Sequence, residues 1–135
     1  MRDRSARWLS LWGPVVAAMA AIFLVSSIPD PPSPPGLSDK TGHFLAYAGL
    51  GSLAVRAASG ASVAGVTGGA VGAAWAIATL YGAFDEVHQG FVPRRTRDVR
   101  DWLADAMGAA TAVVTIWLSA ILLRSRRARG APPRS

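Results

Sequence analysis

The feature that most constrains this chain is a series of long apolar runs separated by compact polar segments. Trp8 to Ile28 is apolar or small apart from Ser10, Ser26 and Ser27, and comparable runs cover about 40–58, 65–84 and 102–123. Each is close to the ~20 residues that cross a ~30 Å hydrocarbon core as a helix. Backbone groups inside lipid must be satisfied within their own segment, which favours helices over open strands. The expectation is therefore an all-α membrane protein, a compact bundle of four transmembrane helices at about 9–28, 40–58, 65–84 and 102–123. A basic tail (1–8) precedes this domain (9–123), and a basic, disordered tail (124–135) follows it. The first run is longer than the ~7–15 apolar residues of a cleavable signal, so it reads as a span.

The polar residues are concentrated in a few places. Five of the eight acidic residues fall between Asp85 and Asp105, interleaved with Arg94, Arg95, Arg97 and Arg100. A smaller patch, Asp39-Lys40-Thr41-Gly42-His43, opens the second run. Five of the nine prolines lie in Pro29–Ser38; lacking the amide donor, they forbid helix there and imply an extended, exposed loop. Ser38 or Asp39 is then placed to cap the second helix. Gly65/Gly69 and Gly68/Gly72 have the small-xxx-small spacing that lets helices approach closely in lipid. Trp8, Trp12, Trp102 and Trp117 near span ends are expected as interfacial anchors, and Trp75 as packing.

Charge sets the orientation. Four spans place both termini on one side, where Arg2, Arg4, Arg7, Arg56, Arg124, Arg126, Arg127, Arg129 and Arg134 face only Asp3. The other side carries five cations against seven carboxylates. Because Lys and Arg gather on the cytoplasmic face, both termini are expected inside and both polar patches outside. The net charge of +6 is thus that of a membrane protein with basic ends; four spans leave no soluble groove for nucleic acid, and the expected partner is the lipid bilayer. With no cysteine, disulfides, thiolate chemistry and Cys-ligated metals are excluded.

On helical spacing, Asp39, His43 and Tyr47 share one face of the second helix. Asp98, Asp101, Asp105 and Gly108 form one stripe if the fourth helix begins near Asp98. Asp85, His88 and Gln89 join one face if the third helix extends past Phe84. Ionised groups at membrane depth are costly unless paired or wet, so these residues are expected to neutralise one another, with the Arg94–Arg100 loop as partner. Bland readings stand beside these: Asp39 as a cap, His43 as a hydrogen-bonded structural histidine, the arginines as a solvated loop near lipid phosphates. Two histidines and several carboxylates could hold a divalent ion, but no spacing matches a ligand motif such as HExxH, and the sequence assigns no metal and no cofactor.

Three ordered motifs, D-K-x-x-H-F-x-x-Y-x-x-L-G (Asp39–Gly51), D-E-x-H-Q-x-F-V-P-x-R (Asp85–Arg95) and D-x-x-D-x-x-x-D-x-x-G (Asp98–Gly108), resemble the VanZ-like family of small membrane proteins. Arg94 stands where that family usually has glycine, and Asp105 where asparagine is frequent. The resemblance implies a multi-span protein of the bacterial cytoplasmic membrane and a connection with susceptibility to the glycopeptide teicoplanin. Three functions fit. In the first, Lys40, Arg94, Arg95 and Arg97 hold an anionic lipid or lipid-linked envelope precursor at the outer face, bidentate arginine suiting phosphate. In the second, a small intramembrane hydrolase or transferase acts on a phosphate- or acyl-linked lipid, with His43 or His88 as base or nucleophile, Asp39 or Glu86 orienting it and the arginines stabilising developing negative charge. Tyr47, Asp85, Gln89, Asp98, Asp101 and Asp105 are binding candidates beside Lys40, Arg94 and Arg95. The third is a structural or assembly subunit.

Overall fold

The computed structural model describes residues 2–31 and 35–130, which form four helices and no strand. They are α1 (Arg2–Ser26), α2 (Asp39–Ala58), α3 (Gly68–Gln89) and α4 (Val99–Arg129). Two, Asp3–Ser26 and Val99–Arg129, are long and apolar enough to cross a membrane. The other two, of 20 and 22 residues, reach ~30 Å at 1.5 Å rise per residue, but glycine, alanine and their polar ends dilute their hydropathy.

The ends of the elements follow local chemistry. Ser38 caps α2, its hydroxyl accepting from the Thr41 amide at 3.2 Å, so Asp39 begins the helix instead of capping it. α2 closes with Gly60 in the left-handed region (φ 62°), the Ala61 amide donating to Arg56 O (2.8 Å) and that of Gly60 to Ala57 O (3.1 Å). This paired closure is the Schellman arrangement, for which glycine at the turning residue is suited. α3 starts at Gly68, not Gly65, because Thr67 Oγ1 accepts from the Ala70 amide. Asp98 caps α4 through the Arg100 amide at 2.8 Å.

Both terminal boundaries differ from the sequence expectation. Residues 2–8 belong to α1, and 124–129 to α4, where a tail was expected at each end. Arginine and alanine favour helix, and arginines in the last turn of α4 meet the negative end of its dipole. The remainder of the expected C-terminal tail, 131–135, and Pro32–Pro34 of the proline loop lie outside the described residues; the described part of that loop contains no helix.

The helices run alternately up and down. At one end Arg56 donates to Ser10 O, and Arg124 to Val63 O and Val66 O, gathering the start of α1, the α2–α3 turn and the end of α4. The opposite end holds the end of α1, the start of α2, the end of α3 and the start of α4. The α2–α4 contact is the most extensive, and α1 packs on α2 and α3. The core is made of small residues: Ala54, Ala74, Ala78 and Ala109 are fully buried, beside Val15, Leu50 and Val55.

Close packing falls on other glycines than the spacing suggested. Nothing lies within 4 Å of a Cβ built at Gly72, and Gly65 is outside the helix. Instead α2 and α4 meet where Gly51 faces Ala109 and Gly108 faces the Phe44 backbone. Two indoles also tie α3 to α4, Trp102 to Thr79 O (3.1 Å) and Trp75 to Ala106 O (3.2 Å), so Trp102 makes a helix–helix contact that the sequence reading did not assign.

Large apolar side chains also cover the outside of the bundle. Leu24, Leu45, Leu80, Phe84, Leu103 and Leu122 are exposed, whereas Asp85, Glu86, Gln89, Asp101 and Asp105 are buried. Broad exposed apolar surface, with the carboxylates turned inward at one end, is the pattern for a surface facing lipid.

Candidate functional site

The buried polar residues collect at one end of the bundle, built from the first turns of α2 and α4 and the last turns of α3. His43, one turn into α2, bonds through Nδ1 to Asp105 Oδ1 of α4 at 2.9 Å. The Asp105 side chain is wholly buried. Glu86 approaches from α3, its Oε2 accepting from the Asp98 amide at 2.9 Å. One donor atom each from His43, Glu86 and Asp105 lie within 4.8 Å of one another, as do those of Asp39, His43 and Asp101. Three buried oxygens here meet no protein partner: Tyr47 Oη, Glu86 Oε1 and Asp105 Oδ2. Gly82 makes room for this set, since a Cβ there would stand 2.9 Å from Asp105 Oδ2 and 3.3 Å from Tyr47 Cε1.

A second chain of contacts runs beside the first. Asp85, also buried, accepts from Ser26 Oγ of α1 and, at 3.0 Å, from Gln89 Nε2. Gln89 in turn accepts from Arg95 Nη2. Between α1 and α2 these groups open onto a cleft of about 310 Å³. Ile22 and Val25 form its apolar side, and Asp39, His43, Tyr47 and Arg95 its polar side. A volume near ~300 Å³ with few convergent polar groups is at the lower end of the range for small-molecule sites.

Matched to this geometry is one family comparison: the VanZ/LLP1 family model covers residues 33–123, two-thirds of the chain. The chain belongs to the VanZ/LLP1 family. No curated protein and no solved structure matches it.

In this VanZ/LLP1 chain the three motifs converge as α2, α3 and α4 bring their polar ends together, yet the residues divide into groups. His43, Tyr47, Glu86 and Asp105 form the buried centre, and His43 and Tyr47 also reach the cleft, which Asp39, Asp85, Gln89 and Arg95 line with them. His88 does not join His43. It faces α1, stacked on Phe23 with ring centroids 4.3 Å apart and with Nε2 3.0 Å from Ser27 Oγ. Glu86 and His88, two residues apart on a helix, point to opposite sides.

The cation distribution also differs from expectation. Lys40, not an arginine, neutralises the α4 carboxylates, at 3.1 Å from Asp98 Oδ2 and 2.8 Å from Asp101 Oδ1. The Arg100 amide and the Lys40 ammonium together hold the exposed Asp98 carboxyl below its ordinary range. Arg97 lies 5.4 Å over the Phe91 ring, and Arg94 is exposed. The loop arginines make no ion pair among the described residues, and only Arg95 lines the cleft.

Ser26 is the site residue that sequence reasoning did not assign. Its only signal was position: a hydroxyl interrupting the apolar run at the end of α1, level with the polar ends of the other helices.

Proposed function

We propose that this VanZ/LLP1 chain is a four-span protein of the bacterial cytoplasmic membrane, both termini inside, that engages an amphiphilic lipid or lipid-linked envelope component at the outer face. The observation that carries this reading is the two-sided cleft. Ile22 and Val25 suit an acyl or prenyl chain, while Arg95 and His43 meet a head group at the same opening. Arg95 is already oriented by Gln89, and a positioned guanidinium suits a phosphate or carboxylate head. The anionic-head reading thus narrows from four cations to Arg95.

The test is the lipid that co-purifies with the protein, read by mass spectrometry, for wild type, Arg95→Lys and Arg95→Ala at matched membrane abundance. Loss of a specific species in Arg95→Ala, with partial retention in Arg95→Lys, is the expected result. An unchanged lipid profile in both variants would sink the reading. In a host lacking the protein, teicoplanin sensitivity and envelope lipid content serve as cellular readouts. Defects that track abundance alone would favour the assembly role.

The His43–Asp105 contact favours a second reading, an intramembrane hydrolase or transferase. A buried carboxylate bonded at Nδ1 fixes the ring and makes the other nitrogen a better base, and His43 lines the cleft. On this reading His43→Ala, at normal abundance, abolishes turnover of the bound lipid without abolishing its binding. Full cellular activity in that variant would remove the catalytic role.

A further inference from the structure

We propose that His43, Glu86 and Asp105 form a site for one divalent first-row transition ion at the buried end of the α2–α3–α4 contact. Three independent features converge on it. The donor atoms come from three helices and lie within 4.8 Å of one another, a spread that an ion at about 2.0–2.2 Å from each donor closes with small side-chain rotations. Glu86 and Asp105 are respectively 7% and 0% exposed, yet Glu86 Oε1 and Asp105 Oδ2 meet no protein donor. Such orphaned buried oxygens call for a ligand. Finally, a Cβ at Gly82 would intrude on Asp105 Oδ2 at 2.9 Å, so glycine keeps open the ground on which that oxygen stands.

Charge leads to the same conclusion. Glu86 and Asp105 place two carboxylates against a single imidazole in a buried setting, and Lys40 is already held by Asp98 and Asp101. A divalent ion offsets both charges, and one imidazole with two carboxylates is a donor set suited to zinc or manganese rather than to a soft thiophilic ion. The second triad, Asp39, His43 and Asp101, already has the Lys40 ammonium on Asp101 and needs no further cation. His43 borders the cleft, giving the ion a route in. Seated behind the cleft, the ion adds the positive charge that Arg95 alone does not supply, in a region that otherwise carries Asp39, Asp85, Glu86 and Asp105. Its binding rests on these three donors, not on the lipid reading.

The experiment is calorimetric titration of full-length, delipidated, EDTA-treated protein in detergent with Zn²⁺ and, separately, Mn²⁺. Expected is one saturable site per chain for at least one of the ions, weakened about 10-fold or more in Glu86→Gln and Asp105→Asn and unchanged in His88→Ala. Absence of saturable binding in wild type overturns the proposal, even if the variants fail to fold. Equal affinity in wild type and in folded Glu86→Gln and Asp105→Asn also overturns it, because the ion would then sit elsewhere. Lipid co-purification is scored separately, so a protein that binds metal without lipid, or lipid without metal, separates this proposal from the preceding one.

Discussion

Arg94 shows how far a single residue could be read in advance. The resemblance to the VanZ-like family implied glycine at this position, and the backbone gives a physical reason to favour it: φ at Arg94 is 62°, in the left-handed region. A side chain there costs roughly 1–2 kcal/mol, and glycine would return part of it as extra freedom in the unfolded chain, about 0.5–1 kcal/mol. Arg94→Gly should therefore raise unfolding stability by about 0.5–1 kcal/mol, and Arg94→Val should lower it, since a branched Cβ tolerates this conformation poorly. Thermal unfolding in detergent reads both; a stabilised Arg94→Val would refute the strain account. The residue types at the site were legible because ionisable groups in apolar sequence stand out. Their pairings were not, because sequence does not say which long cation reaches which carboxylate. Lys40 reached the α4 aspartates, and the nearby arginines did not.

Among the elements, the helix count and the polar ends of the helices were readable from hydropathy and spacing, while helix packing was not. Small-xxx-small spacing singled out the pairs Gly65/Gly69 and Gly68/Gly72, but a glycine serves helix packing only if the backbone of another helix comes to it, and that depends on how the helices are arranged. The backbone came to Gly108, where a Cβ would strike the Phe44 carbonyl. That obstacle is main chain of the facing helix and cannot rotate aside. Gly108→Ala is expected to cost about 2–3 kcal/mol by forcing α2 and α4 apart, with loss of the His43–Asp105 contact one turn away. Gly72→Ala, with nothing within 4 Å, should be neutral or slightly stabilising, because alanine is the better helix former by up to ~1 kcal/mol. Denaturant unfolding of the pair checks this directly, and equal effects would mean that α2 and α4 do not pack as described. The boundaries were missed for a related reason: arginine-rich ends read as tails by charge, yet arginine propagates helix well when a preceding turn is already formed.

For the whole molecule, the question is which side of the membrane the site faces. The up-and-down arrangement gathers Arg56 and Arg124 with the beginning of α1, so the end opposite the site carries most of the arginines. Orientation follows Lys and Arg near the spans, with carboxylates contributing little. On that count, among the described residues, eight arginines at the terminal end stand against Lys40, Arg94, Arg95, Arg97 and Arg100 at the site end. The excess predicts an outward site, but the opposing five are numerous enough that the bias has to be measured. The chain has no cysteine, so single replacements give clean reporters. Thr96→Cys marks the exposed loop at the site end, and Ser125→Cys the exposed last turns of α4; neither removes a charge. In intact cells a membrane-impermeant maleimide should label Thr96→Cys at once and Ser125→Cys only after lysis. The reverse pattern would turn the cleft toward the cytoplasm and make its ligand an inner-leaflet lipid. Labelling of both positions from outside would break the four-span arrangement itself, since the single crossing by α4 must put the loop after α3 and the end of α4 on opposite sides.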